Sequence, residues 1–250
     1  MSVLKEIDQR SKMGKRAVWV LIDPDKKSLE EIEDLIYKIN SSDIISTVLC
    51  GGSFMFTQDF EVKLERIKTM SKKPVVLFPG NPNQVSKHAD ALLFLSVISG
   101  RNPETLIGHH VSAAPFIKKL NIEIVPTGYI LVDGGNSTAV SYITQSMPIP
   151  SKSGNIAAAT AMAGEMLGMR LIYLETGSGA SKSVPCDMVK KVRESITCPL
   201  IVGGGVRSVE QCDEIFEAGA DVIVIGSKIE ESEHFIFELD KHFHAVNSYN

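Results

Sequence analysis

The sequence predicts a (β/α)8 TIM barrel in which the helix after the third strand is short or missing. Three observations carry this prediction. Eight short apolar runs rich in β-branched residues recur along the chain, and each is closed by a cluster of Gly, Pro, Ser or Asp. The runs are continuously hydrophobic rather than alternating, as strands buried on both faces by covering helices must be. Roughly 25–30 residues per unit, repeated eight times in 250 residues, is the arithmetic of this barrel.

The runs lie at 17–22, 45–49, 74–78, 91–97, 123–132, 170–174, 199–202 and 221–225. Between the first two, "SLEEIEDLIYKIN" reads as a helix capped by Ser28, with Glu31 three residues on to complete a capping box. After the third run, "GNPNQVSKHAD" is too short for a full covering helix, which leaves one flank of the barrel thinly covered. After the fourth, "NPETLIGHHVSAAPFIKKL" reads as a helix starting near Asn102 or Thr105. Its neighbours His109 and His110 face different sides and cannot share a metal, so a structural or rim role is expected of them. The longest irregular piece, 134–155 with Pro148 and Pro150, follows strand five; it is either a lid or a surface insertion. "SVEQCDEIFEAGA" runs as a helix from a Ser208 cap to a closing Gly219.

Composition narrows the function classes. With 44% hydrophobic and 22% charged residues, the chain can bury one substantial core, and no linker splits it, so residues 1–250 are read as one domain. A net charge of −4 with no basic block argues against a nucleic-acid partner. Cys50, Cys186, Cys198 and Cys212 form no CxxC pair and have no His at ligand spacing, so they are expected as reduced thiols in a cytoplasmic protein. The N-terminal stretch is mixed and charged, and no apolar run is long enough to span a bilayer. A soluble protein is expected; a lipid substrate stays compatible with it.

In such a barrel the C-terminal strand ends face the active site. Read in order, they give "DPDK", "GGS", "PGN", "SGRN", "DGG", "ETGSG", "GGGVRS" and "GSK". The last three crowd backbone amides near one point, which suits a small phosphate. Glu175, in "YLETGSG", can accept a proton from a substrate hydroxyl, or it forms an ion pair with Arg207 or a loop lysine. Asp23 and Ser53 end neighbouring strands and could share a Mg²⁺ with phosphate oxygens; equally, they are a plain turn and a helix cap. Asp133 is a substrate ligand or a turn residue, and Arg101 with Asn102 could meet a second anion at the mouth.

Together, "LIDPDK", "GGS", "LFPGNPNQVS", "YILVDGGN", "YLETGSGA", "VGGGVRS" and "VIGS" resemble the geranylgeranylglyceryl phosphate synthase family, TIM-barrel prenyltransferases that include bacterial heptaprenylglyceryl phosphate synthases. The resemblance covers nearly the whole chain in order. It implies transfer of a polyprenyl group, geranylgeranyl foremost, from its diphosphate to the 3-hydroxyl of sn-glycerol 1-phosphate, with Mg²⁺ as cofactor. It assigns Asp23 and Ser53 to the metal. It assigns Tyr173, Leu174, Glu175, Thr176, Gly177, Ser178, Gly179, Gly204, Gly205, Gly226 and Ser227 to glycerol phosphate. Some members carry a lysine two positions before the metal aspartate, where this chain has Leu21. The long segment after strand five is similar to the group of the family that carries this insertion.

With those parts, Glu175 is expected to act as base, the flank after strand three to hold the prenyl tail, and peripheral membrane contact and homo-oligomerisation to accompany the activity. Other phosphate-binding barrels set the alternatives. An isomerase or aldolase would recruit Asp23 and Glu175 or a strand-end lysine, a flavin barrel would use the same loops, and a bare phosphate-binding module would need none of the carboxylates.

Overall fold

The structure, a computed structural model, describes residues 2–56 and 58–247. Eight parallel strands close on themselves in sequence order. They are β1 Ala17–Ile22, β2 Ile45–Cys50, β3 Val75–Leu77, β4 Ala91–Val97, β5 Glu123–Leu131, β6 Leu171–Glu175, β7 Leu200–Gly203 and β8 Val222–Ile225. Every predicted run is a strand, and no boundary is off by more than one residue. Closure comes from β1 pairing with β8, Ala17 opposite Val222 through Val20 opposite Ile225.

Alternation along each strand divides the core in two. Trp19, Leu49, Val76, Leu93, Tyr173, Ile201 and Val224 fill the barrel interior. Val18, Val48, Leu77, Leu92, Leu174, Val202 and Ile223 face outward, against the helices. Both sets are buried, which is why the sequence shows continuous hydrophobic runs. Helix α1, Val3–Lys12, stoppers the lower end: Val3 and Ile7 join the interior cluster. The Glu123 carboxylate accepts the Val3 amide at 2.6 Å and the Ser2 hydroxyl at 2.6 Å. The opposite, C-terminal face is left for the site.

The covering helices are α2 Leu29–Ser41, α3 Phe60–Met70, α4 His109–Ile117, α5 Ala139–Thr144, α6 Gly154–Met166, α7 Cys186–Arg193, α8 Val209–Glu217, α9 Ser227–Glu231 and α10 His234–Asn247. Ser28 and Glu31 form the expected capping box on α2, and Ser208 accepts the Gln211 amide to cap α8. No helix joins β3 to β4, as the length of that link implied. Instead Gly80 donates to the Gln84 side chain at 2.8 Å, in a tight loop that leaves the outer face of β4 open toward α4.

Two segments differ from expectation. The helix after β4 starts with a π-helical turn, Glu104–Gly108, before α4, and Asn102 accepts the Glu104 amide at 3.1 Å. The stretch 134–155 is not irregular throughout. It contains α5, started by a reciprocal Thr138–Ser141 cap, and Ile149 returns to pair beside Val132.

Candidate active site

One polar cavity at the C-terminal mouth is bordered by Asp23, Ser53, Glu175, Gly177, Ser178, Gly179, Gly204, Gly205, Gly226 and Ser227. Five strand ends, those of β1, β2, β6, β7 and β8, therefore bring the sequence-predicted residues to one place. The remaining three lie under it. Tyr173 points into the barrel interior, and Leu174, the next residue along β6, points outward into the helix layer. Thr176 is buried, and its hydroxyl has no hydrogen-bond partner.

Glu175 ends β6 with its carboxylate buried at the cavity wall. Burial raises its pKa, against the lowering effect of the Tyr173 hydroxyl and of the Gly177 amide. The amide donates to Oε1 at 2.7 Å, whereas the hydroxyl approaches the carboxylate outside hydrogen-bonding geometry and has no other partner. The amide is thus the firm contact. Glu175 forms no ion pair with Arg207, which faces Glu231 at 3.6 Å instead. A carboxylate whose pKa is raised by burial, with one oxygen outside the Gly177 hydrogen bond, is a better proton acceptor than an exposed one.

The glycines around it are obligatory for two different reasons. A Cβ on Gly203 would lie 2.5 Å from the Tyr173 hydroxyl and 2.7 Å from Glu175 Oε2. Gly204, at φ +80°, would place one 2.4 Å from Glu175 Oε1 and from Thr176 Oγ1. Side chains are thus excluded wherever the loop passes the carboxylate. Ser178 and Ser227, 3.3 Å apart, join the loops after β6 and β8 and complete a ring of amides and hydroxyls fit for a phosphate.

Asp23 both turns the chain and faces the cavity. Its Oδ1 accepts the Asp25 amide at 3.1 Å, capping the single 3₁₀ turn Pro24–Lys26. Burial, more than any neighbour, raises its pKa. Gly52 lies against it: a Cβ there would stand 3.1 Å from all three atoms of the carboxyl group. A half-buried carboxylate that Gly52 keeps clear of a side chain, with the Ser53 hydroxyl next in sequence, fits a divalent cation. Among the described residues no group of three His, Cys, Asp or Glu could hold a metal, so substrate oxygens and water would complete the shell, as Mg²⁺ prefers. Ser53 is not a helix cap, since α3 begins only at Phe60.

An apolar groove opens from the same mouth. Leu92 and Phe94 of β4, Val85 of the helix-free link, and His110, Ala113 and Ile117 of α4 form its walls, and Val140 and Ile143 of α5 border it. Gly52, Ser53, Phe78, Tyr129 and Val140 are common to both spaces. Both neighbouring histidines border the groove; His110 lies 3.2 Å from the Ser96 hydroxyl and edge-on to Phe94. The other mouth candidates are engaged in structural hydrogen bonds. Asn102 donates to the Thr144 carbonyl at 2.8 Å, Arg101 to the Gly100 carbonyl at 2.7 Å, and Asp133 accepts the Gly135 amide at 2.9 Å.

The PcrB family profile matches residues 11–247. The chain belongs to the PcrB family. Its relatives include the geranylgeranylglyceryl phosphate synthases of Chitinophaga pinensis, 47% identical over 96% of this chain and 94% of that one, and of Methanosphaera stadtmanae, 40% identical over 86% and 87%. The (S)-3-O-geranylgeranylglyceryl phosphate synthase of Thermoplasma acidophilum, solved with its substrate sn-glycerol-1-phosphate, superposes with a TM-score of 0.89. That pair is 30% identical and covers 97% of this chain and 99% of the other. The resemblance read from the motifs therefore holds.

Two aromatic residues bordering the cavity of this PcrB-family chain, Phe78 and Tyr129, were not singled out from sequence, and Lys26 entered only as a strand-end lysine that an aldolase would recruit. Lys26, within "DPDK", borders the cavity and pairs with Glu230 at 2.9 Å. Phe78, Tyr129 and Tyr173 form an aromatic floor with ring centroids 5.5–6.2 Å apart. Position at strand ends was the available signal for Lys26 and Phe78; Tyr129 lies two residues inside β5 and carries none.

Proposed function

We propose that this chain is an alkyl transferase that joins a polyprenyl group, geranylgeranyl foremost, to the 3-hydroxyl of sn-glycerol 1-phosphate. The observation that carries the reading is the shared wall: a phosphate-sized ring of amides with a buried carboxylate runs directly into an apolar groove. Isomerases, aldolases and flavin barrels use the first feature and have no need of the second. An aldolase is further disfavoured because Lys26 is paired with Glu230 and Lys228 lies over the Phe235 ring.

The loops 173–179, 204–205 and 226–227 hold the phosphate of the acceptor, with its 3-hydroxyl toward Glu175. Asp23 and Ser53 are the residues that would hold Mg²⁺, which when bound supplies charge neutralisation for the departing diphosphate. The groove seats the prenyl tail so that its first carbon lies at the shared wall, over the rings of Phe78 and Tyr129. Those rings favour positive charge on the allylic carbon and exclude water from it. As the C–O bond to diphosphate breaks, the acceptor oxygen forms the ether bond, and its proton passes to the Glu175 carboxylate. Orientation by the loops lowers the barrier by several kcal/mol, about 7 at best.

The finer setting belongs to the same proposal. Among the described residues no helix is long and apolar enough to cross a membrane, and action in the cytoplasm with peripheral contact to lipid is inferred. Phe54 and Phe56, with tilted rings 4.7 Å apart and exposed beside the mouth, are the residues offered for that contact. Exposed Ile107 and Val111 along the outer wall support a homo-oligomer. The deciding experiment is incubation with glycerol 1-phosphate, Mg²⁺ and prenyl diphosphates of graded length, with product read by mass spectrometry. Failure to form an ether with any donor would refute the proposal.

A further inference from the structure

We propose that Lys26 is a counter-ion that changes partners during the reaction. It neutralises Asp23 and Glu230 while the prenyl-donor subsite is empty, and turns to the donor's diphosphate when metal and donor enter. The inference rests on the transferase reading above and adds a residue to it.

Lys26 ends the 3₁₀ turn after β1, and Glu230 lies in α9 after β8, so their contact spans the seam where the barrel closes. Lys26 Nζ stands 2.9 Å from Glu230 Oε2 and 3.7 Å from Asp23 Oδ2. All three residues border the polar cavity. Two carboxylates sharing one ammonium leave this corner net negative. A divalent cation against Asp23 reverses that balance and makes the ammonium surplus there. The arriving diphosphate brings several negative charges to the same corner.

Lys26 is suited to the exchange. Its side chain is 46% exposed, on a flexible four-carbon stem with three donors, so it can turn without disturbing the fold. The other cations bordering the cavity are engaged differently: Arg207 faces Glu231 at 3.6 Å and Lys228 lies 5.7 Å from the Phe235 ring centroid. Neither has a contact with Asp23.

The arrangement predicts opposite effects on metal and donor when Lys26 loses its charge. In full-length Lys26→Met, Mn²⁺ alone, followed by its spin-resonance signal, should bind about three- to tenfold more tightly, because its competitor is gone. In the presence of metal, inorganic diphosphate should bind about tenfold more weakly, and KM for geranylgeranyl diphosphate should rise by a similar factor. KM for glycerol 1-phosphate should stay within about twofold, and Lys26→Arg should restore donor affinity. Glu230→Gln gives an independent check: bare metal should bind more weakly, without a rise in donor KM. The inference is overturned if Lys26→Met leaves bare-metal affinity unchanged or lower, if donor KM does not move, or if Glu230→Gln raises donor KM. Wild-type protein that forms no ether would sink the transferase reading instead, so the two failures are distinguishable.

Discussion

Replacing single glycines of the phosphate ring by alanine should give a graded series, because the structure assigns each a different burden. At Gly204 the backbone is left-handed, φ +80°, and a Cβ would stand 2.4 Å from Glu175 Oε1. The backbone alone costs about 1–2 kcal/mol for an L-residue. Displacing the carboxylate from the Gly177 amide removes a charge-assisted hydrogen bond of about 1.5–3 kcal/mol. Together these give about 2.5–5 kcal/mol, or roughly 5–20 °C in Tm for a chain of this length. Gly179→Ala meets the backbone cost only, since φ is +77° and nothing lies within 4 Å, and should melt about 2–8 °C lower. Gly226→Ala has negative φ and ordinary contact with Leu21 at 3.4 Å, so its Tm should match wild type. Calorimetry gives the melting order, and kcat should fall about a hundredfold in Gly204→Ala alone, through the moved base. If Gly204→Ala melts and turns over like Gly226→Ala, the glycines are not shaping the carboxylate and the reasoning is refuted.

Other outcomes follow from the same geometry. Glu175→Gln should lower kcat by about 10²–10⁴ with little change in KM for glycerol 1-phosphate. Wild-type activity should fall with decreasing pH through a pKa raised by burial, a limb that this variant lacks. Because the folded pKa is raised, Glu175 favours the fold below its unfolded value and loses that contribution as pH rises through the folded one. Glu175→Gln should therefore melt higher than wild type at neutral pH and equally with it in acid; the reverse order in a pH series of melts would contradict the assignment. Asp23→Asn should weaken Mg²⁺ binding by about tenfold or more in titration calorimetry, and unchanged affinity would remove Asp23 from the metal site. Ala113→Phe, filling the groove wall, should lower kcat/KM for geranylgeranyl diphosphate relative to geranyl diphosphate by about tenfold or more; an unchanged ratio would place the tail elsewhere.

Burial on both faces made the strands legible in the sequence, since "AVWVLI" and its counterparts need no polar side. The missing helix was legible from the length of "GNPNQVSKHAD". The π-helical turn Glu104–Gly108 was not, because five residues carry no period that separates it from an α-helical start. Helix α5, at six residues, is likewise too short to show one. For the site, strand ends located Asp23, Ser53 and Glu175, but reading "YLETGSG" as a block hid the alternation that sends Leu174 outward between inward Tyr173 and Glu175. Asn102 and Asp133 show the opposite limit: polar residues at strand ends can be consumed by structural hydrogen bonds, Asn102 to the end of α5 and Asp133 within its own turn. The Lys26–Glu230 pair joins residues 204 apart, and nothing local to either announces it.

The missing helix and the aromatic floor answer a single physical difficulty. An allylic cation needs negative charge near it as diphosphate leaves, yet it must not meet water, and the two demands call for opposite surroundings. A barrel covered on all sides offers only a polar mouth. Leaving the flank after β3 open exposes Leu92 and Phe94 of the outer core to a ligand, and α4 and α5 close over them to exclude water. Phe78 and Tyr129 then stand where the two environments meet, with Glu175 on the polar side. Under the proposed function, the reacting carbon is thereby confined to the one boundary where its charge is tolerated and its nearby nucleophile is the bound hydroxyl.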